Sequence, residues 1–298
     1  IQYLFNRNLF GFTPSWEESV RLTLVFNDDL ILGGYLSRFL PLLIGLIILS
    51  FKNDKLVISV SCILLILTDI LVYVSGERTA MGLLLISTIL IIFLLSKFSL
   101  IRLITFFVSI FIIILITLFQ PNIKQRNIDQ TLNQIGISNG KSADKEIYIF
   151  SKGHQSYFST SIDLFLKNPL IGIGPNNFRE SCKEYIIEKK DLACSTHPHN
   201  IYIQLLAETG IIGFLIFFII FCFVLMLLIK HFFYKTMRNN IIFNDYQLCL
   251  LITIFLSLFP FLPTQNFFNG WINIIYYFPV GFFIHSIYSK SFFADIKP

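Results

Sequence analysis

The sequence predicts an all-α fold: a polytopic membrane helix bundle of about seven spans in this chain, broken by one long, partly helical external loop. Three observations predict it. Apolar residues fill 55% of the 298 positions and the mean hydropathy is +0.71, above the ~45–50% apolar content of soluble domains. The excess is gathered into blocks of span length. Between the fourth and fifth blocks lies a polar and amphipathic stretch, residues 120–210.

The blocks fall at 33–51, 56–74, 79–95, 100–119, 211–229, 246–263 and 271–289. Each is near the ~20 residues a helix needs to cross about 30 Å of hydrocarbon. None has a polar face, which marks buried or lipid-facing helices. If the spans alternate, Lys52 and Lys55, Lys97 and Arg102, Lys230, Lys235 and Arg238, and Lys290 and Lys297 all fall on one side, the cytoplasmic one by the positive-inside rule. Residues 1–32, the turn Ser75-Gly76-Glu77-Arg78, the stretch 120–210 and 264–270 then face outward. Three regions follow: 1–119 with an external segment and four spans, 120–210 as the external loop, and 211–298 with three spans. The net charge of +5 is explained by the inner loops, and no motif for reading nucleic acid is present. The chain opens on Ile1 without a signal segment and reads as part of a longer polytopic protein.

Within the loop, Pro121 to Lys145 is rich in Asn, Gln, Lys and Ser and reads as a flexible excursion. From Ser156 to Lys167, Tyr157, Ile162, Phe165 and Leu166 recur at helical spacing. Asn168-Pro169 stops that helix. Leu170-Ile171-Gly172-Ile173-Gly174-Pro175 is a turn, and Asn176 or Asn177 can cap a helix running to about Lys190. Asn200 caps a short helix, Ile201 to Thr209, and Gly210 stands where a left-handed residue ends it. Cys62, Cys222 and Cys249 lie in spans. Cys182 and Cys194 share the loop, either paired in an oxidising compartment or as two free thiols.

The chemistry concentrates at Cys194-Ser195-Thr196-His197-Pro198-His199-Asn200. His199 directly precedes a helix N-terminus, whose positive dipole end favours neutral imidazole. Neutral imidazole can take a proton from a hydroxyl, and the same helix end offers N–H groups to an anion. His154, His197 and His199 with a carboxylate could converge on a metal, but no ligand spacing such as H-E-x-x-H is present; no metal or cofactor is expected. Arg78, at the outer start of a span, either clamps a diphosphate or snorkels to the headgroups. Arg38 lies inside an apolar stretch and Asp69 about one turn from the outer end of its span. They either pair or line an anion-and-hydroxyl pocket. Arg179 is a weaker anion candidate on a loop helix.

His199-Asn200, nine residues, then Gly210-Ile211-Ile212-Gly213 resembles the signature of the O-antigen ligase and O-antigen polymerase superfamily. Asn168 to Gly174 and Ser75-Gly76-Glu77-Arg78-Thr79-Ala80 fit the same pattern. The resemblance implies a metal-independent, inverting glycosyltransferase in the inner membrane of a Gram-negative bacterium, working on the periplasmic side. The donor would be a glycan on undecaprenyl diphosphate and the acceptor a hydroxyl of lipid A core or of another glycan. His199 would be the base and Arg78 a diphosphate contact. An Arg that such proteins carry early in the loop is replaced here by Ser151-Lys152-Gly153-His154-Gln155. The substrate-binding candidates are therefore Arg78, Arg38, Arg179, His154 and His197. Ligase, polymerase and protein O-oligosaccharyltransferase share these motifs. A polysaccharide or lipid transporter is the alternative from another class, but it would show internal repeats and charged spans. The superfamily's additional spans would precede Ile1.

Overall fold

The computed structural model describes residues 11, 31–51, 53–134, 151–188 and 194–294. Apart from Gly11, residues 1–30 of the expected outer segment 1–32 lie outside the described residues, as do Lys52, the middle of the polar excursion and Lys297. Among the described residues every regular element is helical. The main helices are α1 (Leu32–Ser50), α2 (Asp54–Val74), α3 (Arg78–Leu94), α4 (Ser99–Phe119), α5 (Lys152–Lys167), α6 (Phe178–Glu188), α7 (Ile201–Arg238), α8 (Asp245–Ser257) and α9 (Gly270–Ala294). Among the described residues four helices are long and apolar enough to cross a membrane: α1, α2, α4 and α7. Helices α3 and α8 are apolar but shorter, at 17 and 13 residues.

The chain forms two compact units. The first holds the residues up to Asn133 together with Leu227–Ser257 and those from Pro279 onward. Here α1 packs against α2, α3 and α8, and α4 against α2 and α3. Helix α8 is buried along its length, so it is a core helix of this unit. Polar staples set the ends. The Asp245 carboxylate accepts from Ser96 N and Lys97 N, each at 2.9 Å. Lys235 Nζ donates to the carbonyls of Phe93, Leu94 and Leu95 at 3.0–3.1 Å, satisfying acceptors that the end of α3 leaves open.

Four expectations change here. Asp69 does not pair with Arg38. Its carboxylate receives both Arg102 Nη atoms at 2.8 Å, and Arg102 Nε donates to Thr88 Oγ1 at 3.1 Å. Arg102, expected to flank a cytoplasmic turn, is fully buried inside α4; a paired charge can be buried where an isolated one cannot. Lys230, Lys235 and Arg238 are helical, because α7 runs on to Arg238, and His231 on it is buried, its Nδ1 accepting from Phe243 N. The described start of the polar excursion, Pro121–Gln134, is helical with a π-turn at Gln125–Asp129. Pro121 opens it at N1. Ile123 is buried, and Asn127 Nδ2 donates to Tyr73 O at 2.9 Å, which ties it to the end of α2.

The second unit is Gln134–Met226 with Leu258–Phe278. Cys182 and Cys194 are joined in it, with a Cα–Cα distance of 5.9 Å. They pack with Leu164, Phe178 and Ile173. Helix α7 is broken at Gly210 (φ 65°, ψ −166°), so Ile201–Thr209 is a separate short helix ahead of the long apolar one. The expected span 246–263 stops at Ser257. The residues beyond it, with Pro260 and Pro263, lack regular structure, because proline removes a donor and disfavours helix at the residue before it.

Candidate active site

The second unit assembles its site on a glycine-mediated backbone contact. Ile173 N donates to Ala207 O at 3.0 Å, Gly174 N to Glu208 O at 2.9 Å and Ile211 N to Pro169 O at 2.9 Å. A Cβ on Gly210 would stand 2.3 Å from Leu170 O, and one on Gly172 2.4 Å from the Glu208 carbonyl carbon. The two glycine motifs are thus halves of one junction, where main chain meets main chain. Gly210→Ala should combine this clash with a left-handed strain and destabilise the protein by at least about 2 kcal/mol. Thermal unfolding in detergent reads it, and Gly270→Ala, which meets nothing within 4 Å, is the control.

Asn200 sets the short helix. Its Oδ1 accepts from Tyr202 N at 3.0 Å and Ile203 N at 3.1 Å, and its Nδ2 donates to Pro260 O at 2.8 Å and Leu262 O at 3.3 Å. Thr264 Oγ1 accepts from Ile201 N, and Tyr202 Oη donates to Leu258 O. The unwound residues after Ser257 therefore serve as a clasp on the helix start. Gln204 and Glu208 extend the network. Gln204 Oε1 accepts from Phe267 N at 2.9 Å, while its amide nitrogen donates to Glu208 Oε2 at 2.9 Å and Asn266 Oδ1 at 2.6 Å. The other Glu208 oxygen accepts from Phe178 N at 2.8 Å. A carboxylate thirty residues along the chain thus satisfies the first N–H of α6, a role the sequence assigned to Asn176 or Asn177.

His199 sits at φ 60°, a left-handed conformation uncommon outside glycine and frequent at functional sites. Its carbonyl accepts from Thr264 N at 2.7 Å. Its Nε2 lies 2.9 Å from Ser195 Oγ. Tyr157 stacks on the ring at 5.5 Å between centroids, with His197 at 4.0 Å and His154 at 5.2 Å. His154 is anchored by the Ser151 hydroxyl, which accepts from His154 N at 3.3 Å, capping α5, and lies 2.7 Å from Nδ1. Burial, then His197 and His154, push His199 down to about 3. Burial above all also lowers His197. His199 is therefore neutral at physiological pH. Among the described residues no three His, Cys, Asp or Glu side chains are arranged to hold a metal ion.

The first unit holds the arginine candidates Arg38 and Arg78. The turn before α3 packs on the start of α1, where a Cβ on Gly33 would meet Ser75 Oγ at 2.6 Å. Glu77 caps α1: Gly33 N donates to Oε1 at 2.6 Å and Gly34 N to Oε2 at 3.0 Å. Arg38 stands beside it, its Nη1 donating to Gly34 O at 3.1 Å. Arg78 follows directly as the first residue of α3. Burial raises Glu77 to about 7, against the lowering effect of the two amides and Arg38. An acid raised on folding stabilises below its unfolded value, and that contribution is lost as pH rises to the folded one. Stability should therefore fall between about pH 4.5 and 7, by on the order of 3 kcal/mol. Glu77→Gln should flatten that fall in apparent melting temperature. Arg179 lies exposed at the start of α6. Arg126, which was not a candidate from the sequence, is buried in the π-turn with Nε and Nη2 unpartnered.

A family model described as O-antigen ligase matches residues 60–218, just over half of the chain. The chain belongs to the O-antigen ligase family. No curated protein matches it. Membership makes it a multi-pass membrane protein of lipopolysaccharide biosynthesis, with a ligase- or polymerase-like glycosyltransferase activity. The matched region includes Arg78, the three histidines, Asn200 and the Gly210-x-x-Gly213 break. In this chain the short helix and its clasp hold the His199 imidazole in one place. Tyr157, Ser195 and Thr264 around it were missed by sequence reasoning. Tyr157 read as one apolar position of an amphipathic helix, and no local signal links it to a residue forty positions on.

Proposed function

We propose that the protein transfers a glycan from undecaprenyl diphosphate to an acceptor hydroxyl at the periplasmic face of a Gram-negative inner membrane, as a metal-independent inverting ligase. The observation carrying this reading is the neutral, clasped His199, whose Nε2 faces a hydroxyl at 2.9 Å. An acceptor hydroxyl taking the place of Ser195 Oγ would give its proton to Nε2 as its oxygen attacks the anomeric carbon. The bond from that carbon to the phosphate oxygen breaks, and the diphosphate departs with the electron pair. Attack opposite the leaving group inverts the centre. The diphosphate is a good leaving group, so positioning and charge neutralisation supply most of the acceleration. Residues 120–210 are the catalytic loop in this reading, flanked by membrane regions 1–119 and 211–298. Arg78 contacts the diphosphate, with Arg38, Arg179, His154 and His197 as further anion contacts.

Reconstitution with an undecaprenyl-diphosphate glycan and, separately, lipid A core, a second lipid-linked glycan and a Ser/Thr peptide tests this. Lipid A core should be the acceptor that gains the glycan; elongation of only the lipid-linked glycan or the peptide would overturn the ligase assignment. Arg78→Ala should raise the donor KM roughly 10-fold or more, and Arg78→Lys less, since a point charge still attracts phosphate but loses the bidentate fork. Wild-type kinetics in both would assign Arg78 to headgroup contact.

A further inference from the structure

The second unit exposes an apolar ridge that the sequence assigned to the aqueous loop. Ile162 and Leu166 lie one turn apart on α5, and Leu166 is 66% exposed. Leu170 and Ile171, in the turn after α5, are 66% and 74% exposed. Burying such residues is worth more than exposing them, and contiguous exposed apolar surface marks an interaction site. The turn's position says what covers it. Its Pro169 carbonyl accepts from Ile211 N at 2.9 Å, and Leu170 O touches the site of the Gly210 break. Gly210 is where the long apolar helix begins, and the first turns of that helix expose Ile212, Leu215, Ile216 and Ile219. The ridge is therefore continuous with a surface that meets lipid.

We infer that Leu166, Leu170 and Ile171 form a wedge inserted among the phospholipid acyl chains at the bilayer boundary. The wedge is locked to the membrane helix through the glycine junction. From that junction the short helix Ile201–Thr209 folds back along the apolar helix, the Tyr202 ring standing 5.4 Å from that of Phe217 and 6.2 Å from that of Phe221, so the wedge and the His199 end of the site are held on one membrane helix.

The test uses the full chain in phospholipid nanodiscs. Cys62, Cys222 and Cys249 are replaced by Ala, and an environment-sensitive fluorophore is placed at Ile171→Cys or, in a second variant, Leu170→Cys. Lys183→Cys, an exposed polar position on α6, is the reference. The wedge predicts blue-shifted emission, quenching by lipids carrying a shallow acyl-chain spin label several-fold stronger than at the reference, and protection from aqueous iodide. Emission and iodide quenching equal to the reference would overturn it. So would protection from both quenchers, which would mean that protein, such as a second copy, covers the ridge.

Discussion

His199→Ala is expected to lower the rate of glycan transfer by roughly 10²–10⁴-fold, the range for losing a positioned general base, while membrane insertion and melting temperature stay near wild type. His199→Gln keeps a hydrogen-bonding side chain but no base and should be equally impaired. A reconstituted single-turnover assay reads both, and wild-type transfer by either would remove His199 from the chemistry. The surroundings also fix the pH behaviour. His154, His197, Tyr157 and Ser195 face the ring, and none is a carboxylate that would stabilise imidazolium. With His199 at about 3 instead of 6.5, kcat/KM should show no protonation step near 6.5. For a histidine lowered on folding, the associated stability is complete above the unfolded value and is lost as pH falls toward the folded one. His199→Ala should therefore make stability less sensitive to acid below 6.5.

An imidazole held that low is a weak base in the empty site, since base strength and proton-transfer driving force move together. In the proposed reaction a docked diphosphate changes this. Negative charge nearby stabilises imidazolium and raises the base toward the operating pH. The site thus gains basicity when the donor is bound, and the kcat profile of the bound enzyme should fall at a higher pH on the acid side than the kcat/KM profile of the free enzyme.

Much of this was legible in the sequence where the signal was local. The helix class follows from block length and all-round apolarity. The His199-Asn200 cap, the helix to Thr209 and the break at Gly210 follow from cap chemistry. What the sequence hid was set by distant pairing. Arg102 reads as a charge flanking a cytoplasmic turn until Asp69 and Thr88 are known to surround it. The residues after Ser257 are apolar enough to read as helix, yet their carbonyls are claimed by Asn200 and Tyr202 some sixty positions earlier. Gly172 and Gly210 each looked like a turn residue, and only their apposition shows that each is required by the other.

Asp69→Ala should be the most destabilising single change in the first unit, by about 3–5 kcal/mol. It leaves the Arg102 guanidinium, fully buried and bound to Asp69 at 2.8 Å through both Nη atoms, without its counter-charge in an apolar helix bundle. Thr88 cannot neutralise that charge, and the face of Phe106, 5.6 Å away, offers only a weak attraction for a cation. The coupling is separable by a double variant. Asp69→Leu with Arg102→Met removes both charges, keeps apolar volume, and should recover most of the loss, because a buried pair contributes little beyond the cost of desolvating it. Apparent melting temperatures in one detergent compare the three proteins. If Asp69→Ala alone stayed within about 0.5 kcal/mol of wild type, the pair would not hold α2 to α4. Failure of the double variant to recover would instead mean that the geometry of this ion pair, more than its charge balance, organises the helices around it.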